Sequence, residues 1–79
     1  MRYKEYHTYI IDFCPFRTSL TELMKEISLF NKGFPTVEVL VLVNVIHISH
    51  RDRRIAVNAA ELLDERLREA DWFKHKEGV

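Results

Sequence analysis

"TVEVLVLVNVIHISHRDRR", residues 36–54, decides how this chain folds. The run is apolar at most positions as far as Ile48 and then stops in a cluster of charge. β-Branched side chains dominate it, so it reads as strand rather than helix. Val37, Val39, Val41, Val43 and Val45 share one face of such a strand, and Glu38, Leu40, Leu42, Asn44, Ile46 and Ile48 share the other. Both faces are largely apolar and both need cover. One strand over residues 36–49, at about 3.3 Å per residue, would be roughly 46 Å long, far beyond the usual five or six residues. A bulge or bend is therefore expected near Asn44. A hairpin is only weakly encoded there, because Asn44 precedes Val45 and not the glycine that tight turns favour.

Working outward, "YKEYHTYIIDF" (residues 3–13) also reads as a strand, with Glu5, His7, Tyr9, Ile11 and Phe13 on one side. Pro15 ends it, having no amide to give to a ladder. In "SLTELMKEISLFNKGFP" (residues 19–35), Ser19 and Glu22 make a capping box, and Leu20, Leu23, Met24, Ile27 and Phe30 form one helical stripe. Gly33 is expected in a left-handed conformation closing this helix, before Pro35 blocks continuation. Downstream, Ile55 and Ala56 keep helical phase with Ala59, Leu62, Leu63, Leu67, Ala70 and Phe73. This predicts a second helix from about Asp52 to His75. The alternative starts it at Asn58, by an Asn58–Glu61 box, and leaves "RRIAV" as a short third strand.

The chain has 79 residues, enough for one domain, 1–79, with one core. Twelve basic residues balance twelve acidic ones, and the balance holds in each half, five and five over residues 1–40 and seven and seven over 41–79. Any electrostatic function must be local. The single cysteine, Cys14, forms no internal disulfide and points to a reducing, cytoplasmic setting. No stretch has the length of a membrane span, and the N-terminus lacks a signal-peptide pattern, so no membrane insertion is expected.

Chemical motifs are few. His47-x-x-His50 has a metal-ligand spacing for a helix, but on a strand the two point to opposite faces, so no metal or other cofactor is expected. His50-Arg51-Asp52 matches the catalytic-loop triplet of protein kinases, yet none of that family's other motifs accompanies it. Cys14 between Phe13 and Pro15 reads as a small buried side chain rather than a nucleophile. No convergent set of catalytic groups is visible, and the chain is read as no enzyme. The arginines Arg51, Arg53 and Arg54, with His50, are the candidate phosphate contacts. Asp52 among them, and five acids in the helix that follows, oppose such binding.

These elements predict a small two-layer α/β (α+β) domain, β-α-β-α or, with an extra strand, β-α-β-β-α. The helices would lie on one face of a two- to three-stranded sheet, with a parallel right-handed crossover around the first helix or, as the alternative, long antiparallel pairing. Two helices carrying one apolar stripe each cover one face only. The face with Leu40, Leu42, Ile46 and Ile48 is then left for another chain, with Trp72 as a further contact. The expected function is a non-enzymatic protein-interaction module, binding itself as a homodimer or a host protein. Size alone adds the expectation of a phage or mobile-element protein that inhibits its host's target. A small nucleic-acid binder using His50, Arg51, Arg53 and Arg54 is the alternative.

Overall fold

Pro15 and Pro35 bracket the first helix, and Asp52 opens the second. Those marks recur as element boundaries in the computed structural model, which describes residues 5–76. The order is β1 (His7–Asp12), a 3-10 turn (Pro15–Arg17), α1 (Leu20–Gly33), β2 (Glu38–Val41), β3 (Val45–His50) and α2 (Arg53–Arg68). The sheet is three-stranded in the order β1-β3-β2, and both pairings are antiparallel. The connection through α1 is thus the expected parallel crossover, but the strands it joins are not neighbours. β1 and β2 do run the same way, but β3 lies between them and pairs with both.

The long strand is also corrected, to a hairpin. Val41 pairs with Ile46, and Leu42 donates its amide to the Val45 carbonyl at 2.8 Å. Only Val43 and Asn44 are left to connect the strands. A two-residue connection pairs odd-numbered residues with even-numbered ones, so the two strands reverse parity with respect to each other. Val39 and Val41 therefore share the inner face with Ile46 and Ile48, while Leu40 shares the outer one with His47.

The inner face carries the core. Ile11, Ile46 and Ile48 meet Leu23, Ile27 and Phe30 of α1 and Ala59, Leu63 and Leu67 of α2, all buried. Both helices lie on that one face, and a guanidinium–carboxylate contact between Arg66 and Glu26 (2.6 Å) joins them. Leu20 and Met24, expected in the stripe, are more than half exposed.

Both caps form locally. Ser19 Oγ accepts from the Glu22 amide at 3.3 Å, and Asp52 Oδ1 accepts from the Arg54 amide at 2.9 Å. α2 therefore starts where the longer reading placed it, and "RRIAV" is its first turn rather than a strand. Its end differs: the helix stops at Arg68, not His75. Residues 70–76 fold back as a strap in which the Lys74 carbonyl accepts from the Cys14 amide (2.8 Å) and His75 bridges to Phe13. This brings Phe73 into the core, 5.6 Å from Phe13 between ring centroids. Gly33 is not left-handed either, for it has no positive φ. Phe34 stacks on Phe30 and returns its amide to the Phe30 carbonyl, which closes α1 without a left-handed residue.

Candidate functional site

Pleating and register fix the outer face of the sheet. Across its three strands run three rows: Thr8–Ser49–Glu38, Ile10–His47–Leu40, and Asp12–Val45 extended by Leu42. The first row is polar, with the Thr8 and Ser49 hydroxyls 2.9 Å apart. The middle row is apolar around one imidazole. Ile10 is 57% exposed, Leu40 55%, Leu42 42% and Val43 82%. No element of the described chain covers these side chains. The charged groups of the rows, Glu38 and Asp12, sit on different edge strands and at opposite ends of the face.

Four residues were expected to line the uncovered face, and the structure keeps two of them. Leu40 and Leu42 face outward, whereas Ile46 and Ile48 are wholly buried under the helices. The physical reason is the parity reversal at Val43–Asn44. Ile10 and His47 take the places that the sequence reading gave to the isoleucines. Ile10 was legible in principle, since it alternates with Thr8 and Asp12 on the polar side of β1. His47 was not, because its face depends on the turn.

Trp72 lies elsewhere. Its ring is half-buried, edge-on to Phe73 at 6.1 Å, and packed against the core. The Trp72 carbonyl also accepts from the Ser19 amide at 2.9 Å. It holds the strap against the start of α1 and is not part of the sheet face.

The basic cluster spans the β3–α2 connection and the first turn of α2. His50 Nδ1 accepts from the Asp52 amide at 2.8 Å, and its Nε2 lies 3.0 Å from Thr36 Oγ1. Nδ1 can accept only when it carries no proton, so the hydrogen of the neutral ring is on Nε2 and points to Thr36. Both ring nitrogens are thereby used within the chain, which removes His50 as a phosphate contact in this geometry. Arg51, Arg53 and Arg54 remain exposed, and among the described residues none lies in an ion pair.

A polar groove of about 920 Å³ runs between β1 and α2. Within it Asp64 pairs with Arg68 at 2.9 Å and lies 3.3 Å from His75 Nε2, while Asp12, Arg17, Glu61, Lys74 and Lys76 line it outside any ion pair among the described residues. Cys14 opens on this groove with its Sγ 3.9 Å from the His75 carbonyl. Among the described residues no three His, Cys, Asp or Glu side chains converge as metal ligands. No helix among them is long and apolar enough to cross a membrane.

No family model matches the chain, and the searches of curated proteins and of solved structures found no match.

Proposed function

We propose that this chain is a non-enzymatic protein-interaction module that docks another protein on the open face of its sheet. One observation carries the reading: Ile10 and Leu40 flank a half-buried His47 and, with Leu42 and Val43 beside them, are exposed while both helices are spent on the opposite face. Together these side chains make an apolar patch on the order of a few hundred Å², which soluble monomers seldom leave in water. Its charged groups are at the corners, as in the polar rim of a docking surface.

Site-specific photo-crosslinking in the producing cell tests this. A photoreactive residue in place of Leu40 should give a protein adduct, and the same residue in place of Glu65, exposed on α2, should give none. The mass of the adduct tells a second copy from a host protein. Equal and negligible yields from the two positions would overturn the docking reading.

A second reading, nucleic-acid binding by Arg51, Arg53 and Arg54, is favoured by their shared exposure on one turn and by the use of the Asp52 carboxylate in capping α2.

A further inference from the structure

We propose that His50 is a proton-operated latch: its neutral ring ties the β3–α2 connection to the lead-in of β2, and protonation releases the α2 side. The latch is independent of what docks on the sheet.

The ring's two hydrogen bonds carry the proposal. His50 is the last residue of β3 and is half-buried. Its Nδ1 accepts from the Asp52 amide at 2.8 Å, and its Nε2 stands 3.0 Å from Thr36 Oγ1. Asp52 in turn opens α2, accepting from the Arg54 amide through Oδ1 at 2.9 Å and from the Ala56 amide through its carbonyl at 3.0 Å. One imidazole thus joins the end of β3, the cap of α2 and the segment that enters β2.

A backbone amide only donates, so the nitrogen it meets must carry a lone pair. The neutral ring with its hydrogen on Nε2 meets that condition, and the Thr36 hydroxyl accepts the hydrogen. A second proton has one place to go, Nδ1, where it sets an N–H against the Asp52 N–H. Two donors do not share that separation, so the Asp52 amide moves off the ring. The Thr36 contact survives, because Nε2 keeps its hydrogen. The latch opens on one side only.

The surroundings do little to hold a charged ring in place. On β1, His7 is the direct cross-strand partner of His50, and Glu5, ahead of it, is exposed. The β3–α2 connection and the start of α2 bring Arg51, Arg53 and Arg54, all exposed, with Asp52 among them. On β2, Glu38 pairs with Ser49 and belongs to the other face of the sheet. The segment 32–36, leading from α1 to β2, carries Lys32 and no acid. Among the described residues no carboxylate lies within ion-pairing reach of either His50 nitrogen.

The sign of the effect follows. The fold uses the neutral ring, so the bond to Asp52 contributes stability above the imidazole range, ordinarily about pH 6.5, and that contribution is lost as pH falls through it. Ala56, Ala59 and Leu63 stay buried under α2, so the release is confined to the connection and the first turn.

Heteronuclear NMR of the full chain tests this. At about pH 8, above the imidazole range, the His50 ring should carry its hydrogen on Nε2 and the Asp52 amide should be protected from exchange. Between about pH 8 and about pH 5, a window above the ordinary carboxylate range, that protection should fall in step with the His50 ring. Corrected for the intrinsic exchange rate, the fall should be about fivefold, as for the loss of one hydrogen bond. His50→Asn offers the same amide a carbonyl oxygen that takes no proton, so protection should persist across the window. His50→Ala offers no acceptor, and protection should be absent throughout. A hydrogen on Nδ1 at the alkaline end, an Asp52 amide indifferent to the ring's titration, or an unchanged pH response in His50→Asn would each overturn the latch. If a variant does not fold, the parent chain still decides, because tautomer and amide are read in the same molecule.

Discussion

Ile46 and Leu40 are six residues apart on one hairpin and nearly equal in volume, yet one is wholly buried and the other 55% exposed. Their fates are set by the two residues between the strands, not by their own chemistry. Ile46→Ala should cost about 2–4 kcal/mol, through lost burial and the cavity left under the helices. Leu40→Ala, measured in urea at a dilution that holds the chain monomeric, should cost less than about 1 kcal/mol. Equal costs for the two would mean that β3 sits in the other register. Period-two alternation was plain in the sequence on each side of Asn44. What it did not carry was the relative phase of the two halves, because one continuous strand and a hairpin differ only in a turn that Val43 and Asn44 signal poorly.

At the level of elements, the helix starts were legible because a cap is local. Ser19 and Asp52 need partners only two or three residues away, and the sequence holds both the cap and its partner. The far ends were not local. Glu22 does not return the Ser19 bond, because the Ser19 amide goes to the Trp72 carbonyl, supplied from the other end of the chain. Ala70 and Phe73 keep helical phase with α2, yet Phe73 reaches the core from the strap instead of from a further helical turn. Phe73→Ala should therefore cost about 3–5 kcal/mol, as for other buried aromatic truncations. It should also speed hydrogen exchange at the Cys14 amide, whose acceptor is the neighbouring Lys74 carbonyl. If exchange at Cys14 is unchanged, the strap is held by something other than Phe73.

At the level of the whole molecule, the element inventory foretold the architecture: two single-stripe helices cannot cover two faces of a sheet. The strand order was out of reach, since it depends on pairings 33 to 43 residues apart (Asp12 with Val45, His7 with His50) that no local pattern records. Net charge says equally little about partners, because twelve positive and twelve negative groups cancel. The arginine turn has to be tested by salt. Three phosphate contacts would make log K fall against log salt with a slope of about −3 at most, and Arg53→Glu with Arg54→Glu should abolish binding to generic DNA and RNA. Binding that is flat in salt would leave these arginines as a solvated turn.

The strap also governs the order in which the protein comes into being. β1 leaves the ribosome early but finds its one strand partner only when β3 follows, and Phe13 gains its aromatic neighbour only when Phe73 has been made. Domains fold as units during synthesis, and this unit closes only when residues 70–76 reach Phe13 and Cys14. Until residues 70–76 have been made, then, the valine-rich hairpin has no completed core to settle on.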